Sequence, residues 1–317
     1  MSRTPWLLAT PPPAVAVEIA RHRVSAAAVA ARDGRLAVAA HAIEPLPDGA
    51  VVPGLNSENV PDVGVVAAVL RRAFDRIGGR PRRVALAIPD CVAKVSLLRF
   101  EKVPERARDL EELLRWQVRK AAPFPLEDAQ ISWMPGVEPV EGGREFVVVL
   151  ARRDIVRQYE AICEAAGAQA GIVDLSTFGV INAVLASPHA PAGDWLLVHV
   201  TPEDATMAIL RGAHLVFFRN RGAEGEGSLA DLVHQTAMYY EDRLGGRGFG
   251  RVVLAAPEEA LAVEHAGFAG ALEERLHSRV QLVDPRRAAH LAPGDPASGE
   301  ELVSIAAPLG ALLREAA

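Results

Sequence analysis

Cysteine is almost absent from this chain: among 317 residues only Cys91 and Cys163 are cysteines, and they form no CxxC pair. Neither a disulfide framework nor a cysteine-rich zinc site is supported, and a reducing cytoplasm is the expected compartment. Long apolar runs are also missing, because Arg, Glu or Asp interrupt the segments rich in Ala and Val before they reach the roughly 20 residues that cross a bilayer. We therefore expect contact with a membrane only through partner proteins.

A basic excess is missing as well. The formal net charge is −6, whereas binding to nucleic acid of any sequence requires a positively charged surface. Short basic clusters such as residues 80–83 lie beside apolar segments and are typical of solvated loop ends. We expect no nucleic-acid partner.

Half of the residues are hydrophobic, and a chain of this length usually forms two domains. Strand and helix signals alternate, and each half of the chain opens with three strands followed by a helix. This weak internal repeat indicates two similar α/β halves. The predicted strands and helices of the two halves are 14–19, 23–30, 35–43, 62–77 and 83–88 in the first, and 195–200, 204–210, 214–219, 228–244, 251–256, 260–266, 270–276, 280–283 and 299–316 in the second.

The middle of the chain has a different order of elements. A strand at 93–100 precedes a helix that begins near Arg106 and is stopped by the prolines at 123 and 125. Two strands and a second helix, 129–134, 145–150 and 154–166, complete a small α+β module. We expect a first lobe at 14–91 and 175–192, an inserted subdomain at 92–174, and a second lobe at 193–317.

Several stretches resemble one known family. Residues 84–90, 97–100, 113–117 and 123–125 are similar to the inserted module of PilM-type type IV pilus assembly proteins, which are FtsA-like members of the actin/Hsp70 superfamily. Shorter matches occur at 15–19, 238–241 and 305–314. The resemblance implies an actin-like (ribonuclease H-like) two-lobed α/β fold with an FtsA/SHS2-like α+β insert.

The same resemblance implies a function. PilM-type proteins are cytoplasmic adaptors at the inner membrane, which hold the N-terminal peptide of a PilN-like membrane protein in a groove between the insert and the main domain. They thereby connect pilus motor components to the rest of the machine. Many members bind ATP with magnesium between the two lobes. No catalytic residue and no metal site of this chain is predicted.

The nucleotide-binding positions depart from the family pattern. Glu18, Ala20 and Arg21 stand at the first phosphate turn, where the family has Asp, Gly and a small hydroxyl residue. His199 and Thr201 stand at the second, where Asp and Gly are expected. Glycine lets backbone N–H groups approach phosphate, and an acid orients magnesium. The third, adenosine-binding loop also lacks its paired glycines at 254–257.

These departures predict a pseudo-ATPase whose cleft has lost its fixed negative charge, and no cofactor is expected. ATP, with or without magnesium, remains the alternative: Arg21 would compensate phosphate charge in place of the metal, and nucleotide state would control partner binding. A sugar-kinase-like enzyme is a third interpretation, disfavoured because neither phosphate turn offers a catalytic Asp. A solvated or ion-paired Glu18 and a hydrogen-bonded His199 within the sheet are the ordinary structural interpretations of these two residues.

Positive charge and aromatic side chains meet on the helix of the insert. The residues that this pattern predicts for peptide binding are Arg115, Trp116, Arg119, Lys120 and Phe124. They offer an apolar wall beside basic groups, which suits a peptide that emerges near an anionic membrane. Core packing is the alternative role for the two aromatic residues.

Overall fold

The first lobe is built on a six-stranded mixed sheet. The computed structural model describes residues 13–32, 35–138, 142–188, 193–202, 204–222, 228–257, 268–291 and 299–313. Its strands are β1 (Val15–Ile19), β2 (Arg23–Arg32), β3 (Arg35–Pro45), β4 (Arg83–Ile88), β8 (Gln169–Leu175) and β14 (His290–Leu291). They have the order β14-β3-β2-β1-β4-β8 in the sheet, with β1 antiparallel to β2 and parallel to β4.

One face of this sheet is covered by α1 (Val63–Arg76) and α3 (Arg153–Ala165), which pack against each other. Helix α1 begins where the Asp62 carboxylate accepts hydrogen bonds from the backbone N–H groups of the first turn. Strand β4 is buried from its second residue to its last, as expected for a parallel strand that is covered on both faces.

The inserted module is a three-stranded antiparallel sheet with one helix. Its elements are β5 (Ala93–Phe100), α2 (Ala107–Val118), β6 (Ala129–Pro135) and β7 (Arg144–Arg152). The strand order is β5-β7-β6, so β6 is an edge strand. Leu110, Leu114 and Val118 attach α2 to one face of the sheet. The other face, which carries Val147 and Val149, packs toward the core of the first lobe.

The insert is shorter than the predicted range 92–174. Strand β8 pairs in parallel with β4, and Ile155, Tyr159 and Ile162 of α3 belong to the first-lobe core. The predicted boundary therefore needs correction, because the sheet changes after Arg152. Parallel neighbours require a crossover connection, and α3 is the crossover from β4 to β8, with the module placed between β4 and α3.

The second lobe repeats the arrangement of the first. Its sheet has the order β11-β10-β9-β12-β13, which matches the β3-β2-β1-β4-β8 part of the first sheet and bears out the predicted repeat. Two helices, α5 (Leu229–Leu244) and α6 (Phe268–Leu276), pack on one face. The strands are β9 (Asp194–Val200), β10 (Asp204–Arg211), β11 (His214–Gly222), β12 (Arg251–Ala255) and β13 (Val280–Leu282). The helix predicted at 260–266 lies outside the described residues.

Helix α4 (Ser176–Leu185) leads from the last strand of the first sheet into the second lobe, and α7 (Gly299–Leu312) packs against α4 and against β1, β2 and β4. The assignment of all of 193–317 to the second lobe is therefore corrected, since α7 and β14 return to the first. A Cβ atom on Gly179 of α4 or Gly310 of α7 would collide with backbone atoms of the facing helix. One continuous hydrophobic core extends through this joint into both sheets.

Candidate functional site

The turn between β1 and β2 is closed by its own hydrogen bonds. Glu18 is 3% exposed, and its Oε2 lies 3.2 Å from Nη2 of Arg23. The Ala20 N–H donates to the Arg23 carbonyl over 3.0 Å, so this amide is already used within the hairpin. Arg21 lies exposed at the tip. Of the two ordinary interpretations of Glu18, the structure has the ion-paired carboxylate and not the solvated one.

The turn between β9 and β10 is closed in the same way. The backbone N–H of Thr201 donates to the carbonyl of Asp204 over 2.9 Å, and its hydroxyl donates to Asp204 Oδ1 over 3.0 Å. In return, the N–H of Asp204 donates to Thr201 Oγ1 over 3.1 Å. The other carboxylate oxygen, Oδ2, is buried without a hydrogen-bond partner among the described residues. Burial, and then the negative charge of Asp90, raise the pKa of Asp204.

A buried polar cluster connects the lobes between these two turns. Asp90 follows β4 in the first lobe, and its Oδ1 accepts the backbone N–H of Thr177 at the start of α4 over 3.1 Å. Its Oδ2 accepts the hydroxyls of Thr177 and of Thr206 in β10, the latter over 2.9 Å. The hydroxyl oxygen of Thr206 also accepts a hydrogen bond from the side-chain amide of Asn220 in β11 over 2.9 Å. Asp90 is thus bonded to both lobes.

His199 completes this cluster from β9. Its Nδ1 lies 2.7 Å from Thr177 Oγ1 and 3.6 Å from Asp90 Oδ2. Because the Thr177 hydroxyl donates its hydrogen to Asp90, its oxygen accepts a hydrogen bond from the Nδ1–H group of His199. Burial alone lowers the pKa of His199, but the contact with Asp90 and the charges of Glu18 and Asp204 outweigh it, and the pKa is raised.

The cluster corrects one expectation drawn from the sequence. Acidic side chains have not disappeared from the cleft, because Glu18, Asp90 and Asp204 are all buried there. Asp90 and Asp204 were missed, although Asp90 lies two residues after the buried strand β4, at the carboxyl end where α/β sheets place functional groups. The histidine itself is hydrogen-bonded within the sheet, as expected. Within the described ranges, no three His, Cys, Asp or Glu side chains are placed to hold a metal ion.

A groove lies between the module and the first lobe. It is a cavity of about 440 Å³ between β6 and β7 on one side and α3 and β8 on the other. Both β6 and β8 are edge strands of their sheets. The lining is mainly apolar, with charges of both signs at Arg157 and Glu160 of α3.

The predicted peptide-binding residues lie elsewhere on the module. They belong to α2 and the loop after it, on the opposite face of the module's sheet from the groove. Trp116 is 64% exposed, and Arg115, Trp116, Arg119 and Phe124 line a shallow depression of about 530 Å³, which Lys120 does not join. The guanidinium of Arg115 pairs with Glu111, one helical turn earlier, at 3.0 Å.

Comparison with known proteins gives consistent results. The model of a family described as type IV pilus assembly protein PilM matches residues 16–243. A solved PilM–PilN type IV pilus biogenesis complex is similar with a TM-score of 0.81 and 18% identity over 96% of this chain and 99% of that chain. At that identity the likeness shows a shared fold, and the expected actin-like, two-lobed architecture is confirmed.

More distant similarities extend over most of the chain. The cytoplasmic domain of EpsL, an inner-membrane component of the type II secretion system of Vibrio cholerae, has a TM-score of 0.48 and 11% identity over 92% of this chain and 93% of that chain. The ethanolamine utilization protein EutJ of Carboxydothermus hydrogenoformans has the same TM-score and identity over 96% and 90%. In the described part of the chain, no helix combines the length and apolarity that a bilayer crossing demands.

Proposed function

We propose a scaffolding function for this chain, which belongs to the family of type IV pilus assembly proteins PilM. It binds the N-terminal peptide of a PilN-like inner-membrane protein and so anchors cytoplasmic components of a pilus machine at the membrane. The solved relative with the same fold is a complex of PilM with PilN. The observation that carries the proposal is the groove between the module and the first lobe.

The groove suits an extended peptide because two strand edges border it. Edge strands present unpaired backbone N–H and C=O groups, and an added strand bonds to them while alternate side chains enter pockets. Val147, Val149 and Ala151 of β7 all line the groove. They are spaced two residues apart and share one face of the sheet. The volume of about 440 Å³ falls within the range of about 300–1,000 Å³ that is usual for ligand pockets.

We further propose that the chain does not hydrolyse ATP. A magnesium–triphosphate group requires free backbone N–H groups and acids available to the metal. The amides of Ala20 and Thr201 are bonded within their hairpins, Glu18 pairs with Arg23, and Asp90 accepts three hydrogen bonds from protein groups. The residues present therefore do not fit that group.

The peptide proposal is tested by titrating the purified chain with a synthetic N-terminal peptide of the PilN-like protein from the same genome. Ser132 is exposed on β6 and lines the groove, so Ser132→Trp fills it without disturbing the core. We expect at least about a tenfold loss of affinity. Ala165→Trp, an exposed position of α3 outside the groove, is the matched control and should bind like wild type.

The α2 surface remains a second prediction for the peptide site, and the same titration discriminates between the two. If Trp116→Ala abolishes binding and Ser132→Trp leaves it unchanged, the groove is not the site.

The nucleotide proposal is tested by calorimetry with ATP and magnesium. Micromolar binding accompanied by phosphate release would refute it, and the functional ATP-binding alternative would then hold.

A further inference from the structure

A second cavity continues the groove toward the second lobe. It measures about 230 Å³, and Met134, Val147, Asp174 and Phe178 line both cavities. Beyond these shared residues, the second cavity is bordered by the C-terminal half of α4 and by the turn between β10 and β11. The groove beside the module therefore reaches the second lobe.

The chemistry of the second cavity favours an apolar side chain. Its walls include Ile181 and Leu185 of α4 and Leu210 and Leu215 of the second sheet. At about 230 Å³ it is smaller than the roughly 300 Å³ at which independent ligand pockets begin. Its small volume and its position beside the first cavity both indicate a side pocket for one residue of a larger ligand.

We propose that one apolar residue of the partner peptide occupies this second cavity, so that the bound peptide touches the module, the first lobe and the second lobe. This inference rests on the proposed function, because the same peptide fills the first cavity. The occupant follows from the position of the second cavity, which adjoins the first and shares four lining residues with it. A peptide bound in this way links the lobes, and its affinity depends on how they are oriented.

A residue in the turn between β10 and β11 can be changed to test this inference. Ala213 is exposed there and lines only the second cavity. Ala213→Trp fills that cavity from the surface, and Ala165→Trp on α3 serves as the matched control. Thermal unfolding of each variant verifies that the fold is intact.

The experiment measures affinities of PilN-like N-terminal peptides truncated one residue at a time from either end. For wild type and Ala165→Trp, we expect removal of one apolar residue to weaken binding about tenfold or more, as burial of such a side chain predicts. In Ala213→Trp the full peptide should bind about tenfold less tightly, and the truncation that removes this residue should cause no further loss, because the two changes remove the same contact.

Two results overturn the inference while the proposed function stands. One is that Ala213→Trp binds the full peptide as tightly as wild type. The other is that it weakens every peptide equally, since the effect is then not tied to any peptide residue. Failure of every peptide to bind the wild-type chain would refute the proposed function itself, and the inference with it.

Discussion

Replacing Asp90 with alanine should strongly destabilise the joint between the lobes. Its carboxylate is 2% exposed and accepts hydrogen bonds from Thr177 twice and from Thr206 once, with His199 3.6 Å away. Hydrogen bonds to charged groups contribute about 1.5–3 kcal/mol each and do not add independently. Removing one member of a buried charged network leaves the others unpaired, so we expect a loss of about 3–5 kcal/mol.

Urea unfolding followed by far-UV circular dichroism measures this loss. Total stabilities of folded proteins are about 5–15 kcal/mol, so the midpoint should shift clearly. Asp48→Ala is the control. The Asp48 side chain is 99% exposed and forms a long surface pair with His22 at 3.7 Å, and such exposed pairs contribute little, so no measurable change is expected. A loss below about 1 kcal/mol for Asp90→Ala, less than the removal of a single typical buried partner, would refute the network described here.

Three further outcomes are expected. Tyr240→Phe removes a 2.6 Å hydrogen bond to a carboxylate and should cost about 1–2 kcal/mol in urea unfolding, whereas Tyr239→Phe, half exposed, should change nothing. Gly179→Ala overpacks the contact between α4 and α7 and should destabilise by about 1–3 kcal/mol. Gly270 in α6 has open space where a Cβ atom would lie, so Gly270→Ala should stabilise by about 0.5–1 kcal/mol. If Gly179→Ala stabilised the protein as well, the close contact between α4 and α7 would be contradicted. Because the folded-state pKa of His199 is raised, its charged form stabilises fully below the unfolded-state pKa, and this is lost as pH rises through the folded-state pKa. His199→Gln should therefore lose more stability against wild type at about pH 6 than at about pH 9. A pH-independent difference would exclude a charged His199.

Local patterns predicted most of the strands and helices. Helix α5 begins at the Ser228 capping box and ends at Gly245, which adopts a left-handed φ of 66°, and both ends can be read from residue types. The sheet to which an element belongs cannot be read in this way. Strand β8 and helix α4 were not predicted, and α3 was assigned to the inserted module. The assignment of α3 depends on the pairing of β8 with β4, which joins residues more than 80 positions apart.

The candidate site was predictable only in part, for the same reason. The sequence marks Glu18 and His199 as departures from a family pattern, but their partners are brought close only by folding. Asp90 and Thr177 are 87 positions apart. The aromatic and basic surface of α2 is likewise visible in the sequence, whereas the groove arises from two strand edges that meet in space. An amphipathic pattern identifies a buried face without identifying what packs against the opposite side of the sheet.

The joint between the lobes bears on peptide binding although it lies outside the groove. The groove walls come from the module, from β8 and α4, and from the turn after β10, so their spacing depends on how firmly the lobes are held. Here α4, a shared apolar core and the Asp90 cluster hold them. Preformed walls lower the ordering cost of association. Under the proposed function, a chain whose own side chains fix the cleft keeps the proposed peptide groove assembled without a nucleotide. It follows that Asp90→Ala should weaken peptide binding even though Asp90 lines neither cavity. Unchanged affinity in a folded Asp90→Ala variant would show that the groove does not depend on the joint.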